Sequence, residues 1–205
     1  MLRLAVPLLF LLSGCSLTAP AQYMVPADAV KVSKTTQPAL EARVGIDYRA
    51  LTDKAVVEKH IRTRYRSGQT TERKAAVFHV APASRSMLTR TLQQIFTDVE
   101  VISGKAKVGQ YDVIVLPRMD YIDLDNTGSL WRDAEADVTY ELHLYDDRGR
   151  RFGRLKFSGD SRTESGTEGD FGPEVRAIVE AMQDTAKTIM AELPKSNLLA
   201  IWHRQ

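Results

Sequence analysis

Apolar residues recur at two spacings along the chain, and each spacing predicts a different kind of element. In residues 88–99 they lie three and four positions apart, which predicts an amphipathic helix capped by Ser84 or Ser86. The same spacing predicts a second helix from Pro173 to Leu193, since proline suits the first turn of a helix. The chain therefore supplies two helices that each present one apolar face for burial.

Alternation of apolar and polar residues predicts strands elsewhere. The clearest case is a hairpin over residues 137–160, with Asp-Asp-Arg-Gly at 146–149 as its turn. The apolar run at 113–116 is typical of a strand covered on both faces. Further strands are predicted at 42–49, 75–80 and 99–102.

Residues 54–66 fit either a helix or a strand. In a helix Val57, Ile61 and Tyr65 would share one stripe, whereas in a strand Arg62, Arg64 and Arg66 would share one face. The β-branched content and the Ser-Gly pair that follows favour the strand. Its arginines would then stand about 7 Å apart. Such a row suits phosphate-bearing lipid, lipopolysaccharide or an acidic partner, and the plainer interpretation is a solvated face.

The order of elements is three strands, a helix, two strands, a hairpin and a helix. We therefore predict an α+β fold, a two-layer sandwich with a mostly antiparallel or mixed sheet and both helices on one face. Residues 41–194 would form this domain, and 195–205 a C-terminal tail. Residues 15–40 hold three prolines and no periodicity, which predicts a tether. The alternative is that part of this segment, Tyr23 to Val25, lies along the domain surface.

The N-terminus combines a short positive region, an apolar run from Leu4 to Leu12 and small residues at 13–14. This pattern is typical of a secretory signal, and the run is too short to span a membrane. Leu12-Ser13-Gly14-Cys15 resembles the lipobox of bacterial lipoproteins, with the one cysteine of the chain at its end. The resemblance implies a signal peptide at 1–14, cleavage before Cys15, and diacylglyceryl and N-acyl groups on that cysteine. Two or three acyl chains anchor a protein stably.

Sorting within the envelope follows from the same resemblance. Asp after the cysteine tends to retain such lipoproteins at the inner membrane, and this chain has Ser16 there. The expected location is the outer membrane, facing the periplasm, with the inner membrane as the less favoured alternative. The element order over residues 42–193 also resembles three kinds of envelope proteins: the lipopolysaccharide-assembly lipoprotein that plugs its barrel partner, the YajG-type lipoproteins and the N-terminal domain of TolB.

No motif for catalysis, a metal or a cofactor is apparent in the chain. Nucleophile, Walker, zinc and dinucleotide signatures are absent, so we expect neither an enzyme nor a bound cofactor. The acidic cluster at 120–125 lacks the glutamate of a calcium loop. Trp131 is expected either in the core or as an interface anchor. With 28 basic and 26 acidic residues, charge gives no support for nucleic acid binding.

These observations leave two functional hypotheses. The first is a membrane-anchored, non-catalytic accessory protein that binds an envelope protein or polymer through a sheet edge, the arginine row or the tail. The alternative is a lipid or lipopolysaccharide chaperone, with phosphates on the arginine row and acyl chains between helix and sheet. The sequence leaves open the partner, the oligomeric state and the bound lipid.

Overall fold

The computed structural model describes residues 19–34, 40–51, 55–64, 69–104, 107–127, 133–163 and 172–197. Its two helices are α1 (Ala81–Ile95) and α2 (Gly172–Glu192). Its strands are β1 (Ala21–Met24), β2 (Leu40–Ile46), β3 (Val56–Arg64), β4 (Thr70–His79), β5 (Phe96–Val101), β6 (Val113–Thr127), β7 (Asp133–Tyr145) and β8 (Arg151–Thr163).

The strands form two mixed sheets. The larger has the order β5-β2-β6-β7-β8, with β2 parallel to both its neighbours and β6, β7 and β8 antiparallel. The smaller has the order β1-β4-β3. The predicted α+β class is confirmed, while the single predicted sheet is in fact two. Residues 56–64 are a strand, as favoured, and the helical alternative is wrong.

Both helices pack on one face of the five-stranded sheet. Ser84 of α1 shares a hydrogen bond with Tyr140 of β7, and Thr185 of α2 donates to the Val138 carbonyl at 3.4 Å. Tyr140 and Val138 are two apart and so point to the same face. A side chain at Gly159 of β8 would come within 2.4 Å of the Ala181 carbonyl, so α2 lies directly on the strand backbone.

The N-terminal part of the chain belongs to the domain. Strand β1 adds to β4 in parallel, Tyr23 stacks on Phe78 at 5.3 Å, and Val25 and Val30 are fully buried. The prediction of a tether over residues 15–40 is therefore wrong for residues 21–30. The reason is that Tyr23, Val25 and Val30 supply apolar surface to the core despite their lack of periodicity.

Two predicted boundaries also change. Helix α1 begins at Ala81 with Val80 as its N-cap, because the Ser84 hydroxyl is used in the core instead. Strand β6 continues beyond the predicted run 113–116, through Pro117 and the acidic cluster. Proline is tolerated there because β2 pairs with β6 no further than Val115, so its missing N–H falls at an unpaired strand edge.

Candidate functional site

Most of the residues for which a functional role was predicted lie outside the described residues. Leu12, Ser13, Gly14, Cys15, Arg66 and Trp131 lie outside the described residues. Arg62 and Arg64 lie in β3, two positions apart and hence on one face of that strand. The structure thus brings two of the three predicted arginines into one strand, and the anchor and the tryptophan stay predictions.

The described chain begins close to the predicted anchor. Strand β1 starts at Ala21, six residues after Cys15, so their Cα atoms are at most about 20 Å apart. His79 Nε2 lies 2.8 Å from Gln22 Oε1, which ties β1 to the end of β4. The β1 edge of the three-stranded sheet is therefore the part of the domain that leads directly to position 15.

The face of the five-stranded sheet that points away from the helices, here called the outer face, carries a polar network that the sequence analysis did not predict. Glu141 and His143 of β7 are 7% and 5% exposed, and the Glu141 carboxylate contacts His143 Nε2. Arg154 of β8 places its Nε 3.1 Å from the same carboxylate oxygen. The sequence did contain a signal for this network, because Glu141 and His143 lie two positions apart in one strand and the register of the hairpin sets Arg154 opposite His143.

Further ionic contacts extend this network along the outer face. Lys156 Nζ lies 2.6 Å from Asp120 Oδ2, and its hydrogen bond holds the pKa of Asp120 below its usual value. The Thr139 and Ser158 hydroxyls lie 2.8 Å apart in the next row. The charges of Glu141 and Asp120 are paired with Arg154 and Lys156, and these contacts stabilise the strand register.

One row of the outer face is acidic. The register sets Asp123, Asp137 and Asp160 directly opposite one another on three adjacent strands, and all three are exposed. Like charges in this arrangement repel, which weakens the sheet slightly and keeps the face solvated. In the described part of the chain, no group of three or more His, Cys, Asp or Glu residues is arranged to hold a metal ion.

The surface pockets are small. One of about 380 Å³ lies beside α1, where the Tyr48 hydroxyl donates to the Arg85 carbonyl at 2.8 Å. Burial raises the pKa of Tyr48 to about 12, so this phenol stays protonated near neutral pH. Another, of about 480 Å³, borders the β7–β8 turn at Asp146, whose carboxylate accepts from Arg150 Nε at 2.7 Å. The Tyr48 hydroxyl and the Asp146 carboxylate, one in each pocket, thus already bond within the protein.

Within the described residues, neither helix is long and apolar enough to cross a membrane.

Comparison with known proteins finds solved structures with a similar fold. No family model and no curated protein matches the chain. Among solved structures, protein XCC0632 from Xanthomonas campestris, of the family DUF330, is similar with a TM-score of 0.56 at 13% identity, over 88% of this chain and 99% of that one.

Two further structures resemble the chain less. A minor lipoprotein from Acinetobacter baumannii has a TM-score of 0.44 at 9% identity, over 77% of this chain and 94% of that one. The PelC dodecamer from Paraburkholderia phytofirmans has a TM-score of 0.41 at 14% identity, over 78% of this chain and 96% of that one. At such low identities a structural likeness concerns the fold alone. The fold and the surface together define this protein as an α+β domain with a polar outer face.

Proposed function

We propose that this chain is a lipid-anchored accessory protein of the bacterial cell envelope. The observation that carries the proposal is the sequence Leu12-Ser13-Gly14-Cys15 after a short apolar leader. The fold is compatible with it, because a packed domain starts at Ala21, just after the predicted anchor. Two or three acyl chains hold such a domain stably on a bilayer. Ser16 favours the outer membrane, with the domain facing the periplasm.

The role on the membrane is binding of an envelope protein without catalysis. Strand β5 supports this role as an edge strand whose Thr97, Asp98 and Glu100 are exposed. Such an edge presents unpaired N–H and C=O groups that a partner strand can use. The outer face of the same sheet is polar and carries the Glu141–Arg154 and Asp120–Lys156 pairs, which suits recognition of a protein surface.

The alternative is a lipid or lipopolysaccharide carrier. Its predicted cavity lies between helix and sheet, and the packing at Gly159 argues against it. A Cβ at Gly159 would stand 2.3 Å from the Thr185 backbone nitrogen, so no acyl chain fits between α2 and β8 there. Native mass spectrometry of the acylated protein purified in detergent is expected to give the mass of the chain with its covalent acyl groups. An additional mass of lipid that survives detergent exchange would support the carrier.

The anchor is tested by mass spectrometry of the N-terminal peptide from the native protein. We expect cleavage before Cys15 and a mass increase that matches a diacylglyceryl and an N-acyl group. Fractionation should place the protein in the outer membrane, and Cys15→Ala should retain the leader. Crosslinking in intact cells is expected to trap a defined protein partner. An unmodified thiol at position 15 in mature protein would overturn the proposal.

A further inference from the structure

We propose that the outer half of the β3–β4 hairpin, residues 59–64 and 69–74, lies against the acidic lipid head groups of the leaflet that holds the Cys15 acyl chains. The proposal rests on the proposed lipid anchor and adds an orientation for the domain on its membrane. It comes from one juxtaposition: β1, which begins six residues after Cys15, pairs in parallel with β4, and its first residue lies opposite Ala76, six residues from the basic end of this hairpin.

The direction of the chain is set by strand pairing. Strand β1 is parallel to β4, with Ala21 opposite Ala76 and Met24 opposite His79. From Met24 back to Ala21 the chain therefore runs in the direction from His79 back to Ala76, which is the direction of Thr70. A path from Ala21 to Cys15 that keeps this direction would end at the same end of the three-stranded sheet as the hairpin.

The lengths match as well. Six residue steps separate Ala21 from Cys15, and six separate Ala76 from Thr70. Each stretch spans at most about 20 Å when extended. An extended chain thus places the acylated sulfur level with the first residue of β4, and a less extended chain draws the hairpin end still nearer to the bilayer.

The charge of this hairpin end suits an acidic membrane. Pairing sets His60 opposite Lys74 and Arg62 opposite Glu72. One residue in the two segments is acidic, Glu72, and five are basic: Lys59, Arg62, Arg64, Arg73 and Lys74. Basic groups are attracted to anionic lipid within a Debye length of roughly 8–10 Å, and the anchor keeps their local concentration high.

Acidic side chains lie on another part of the domain, the edge strand β5. The exposed edge strand β5 carries Asp98 and Glu100 on either side of Val99. An acidic leaflet would repel this edge. Charge therefore favours contact with an acidic membrane through the hairpin end over contact through β5.

The test measures the proximity of each region to lipid. The full-length acylated protein is reconstituted into vesicles of phosphatidylethanolamine and phosphatidylglycerol at 7:3, with a quencher on some head groups. A fluorophore is attached to the thiol of Gln69→Cys, an exposed position just before β4, or of Thr97→Cys on β5 as the matched control. These thiols are unique because the one natural cysteine is acylated.

We expect the label at position 69 to be quenched at least about twofold more than the label at 97, and to lose this excess when phosphatidylcholine replaces phosphatidylglycerol. Arg62→Glu/Arg64→Glu should abolish the excess, and so should 0.5 M salt. The matched reversal Arg118→Glu/Arg151→Glu, at two exposed positions of the other sheet, should leave it unchanged. Arg62→Gln/Arg64→Gln serves if the glutamate variant unfolds, as judged by circular dichroism.

Equal quenching at 69 and 97, or an excess indifferent to lipid charge and to the arginines, would overturn the orientation. Vesicle flotation separates this failure from that of the proposed function. A protein that floats with the vesicles but shows no excess is anchored without the proposed contact. A native protein that carries no acyl group and does not float would overturn the anchor itself.

Discussion

The Ser84 and Tyr140 hydroxyls lie 2.6 Å apart at the contact between α1 and β7, and both residues are fully buried. Burial raises the pKa of Tyr140, so the phenol stays protonated and both groups depend on each other for hydrogen bonding. This bond explains why Ser84, a plausible helix cap in the sequence, lies inside the helix instead. It fixes the position of α1 on the sheet.

We expect Tyr140→Phe to lower the free energy of unfolding by about 1–3 kcal/mol, because the Ser84 hydroxyl would be left buried without a partner. Ser84→Ala should cost a similar amount. The double variant should cost less than the sum, which urea unfolding of all three variants would measure. Tyr121→Phe, at a tyrosine that is 51% exposed, is the control and should stay within about 0.5 kcal/mol. Strict additivity would contradict a direct bond.

The close contact of α2 with β8 makes Gly159 intolerant of any side chain. A Cβ there would come within 2.3 Å of the Thr185 nitrogen and 2.4 Å of the Ala181 carbonyl, and both are backbone atoms that cannot turn aside. Gly159→Ala should therefore destabilise the fold by about 3 kcal/mol or more. Thermal unfolding beside Asp160→Ala, at an exposed neighbour, checks it. A loss below 1 kcal/mol would mean that α2 sits farther from the sheet.

The helices and most strands could be predicted because their apolar spacing is local. The spacing of three and four in residues 88–99 and the alternation in residues 137–160 each involve residues that are close together in the sequence. The structure contains both the helix and the hairpin that these patterns predict. The division into two sheets was not predictable in this way. It depends on β1 pairing in parallel with β4, across about fifty residues of chain, and a four-residue strand leaves no periodic signal.

The candidate surfaces were predicted less completely, for a related reason. Arg62 and Arg64 could be assigned to one strand face, since alternation alone decides it. The Glu141–His143–Arg154 network required the register of β7 against β8 as well. His143 points away from the helices, but neighbouring side chains leave it 5% exposed.

We expect the carboxylate of Glu141 to matter more for stability than Arg154. Glu141→Ala removes the partner of the buried His143 and should cost about 1–3 kcal/mol. Arg154 is 59% exposed, and loss of such a surface ion pair typically costs below about 1 kcal/mol. Urea unfolding of Glu141→Ala and Arg154→Ala compares the two. If Arg154→Ala were the more damaging variant, the importance of the glutamate–histidine contact would have been misjudged.

The stability of the fold should depend on pH below about 5 through Asp146. Burial alone would raise its pKa, but hydrogen bonds from the Arg150 backbone and side chain and from the Arg148 backbone lower it overall. Since the folded pKa lies below the unfolded value of about 3.9, the contribution is complete above that value and disappears as pH falls through the folded pKa. Asp146→Asn should therefore be less stable than wild type at pH 7. The difference should shrink between pH 5 and pH 2 in urea titrations, and a difference that is constant over this range would argue against the carboxylate.

The N-terminal strand should prove essential to the domain and not merely attached to it. Val25 is fully buried next to the end of β1, while its neighbour Met24 is 62% exposed. Val25→Ala should lower the free energy of unfolding by about 1–3 kcal/mol through lost burial and the cavity left behind, and Met24→Ala should change it by less than about 0.5 kcal/mol. Because the two positions are adjacent, a flexible tether would give no effect at either. Chemical unfolding of the pair therefore decides whether the chain just after the anchor is rigidly docked, which is the condition for the anchor to orient the domain on its membrane.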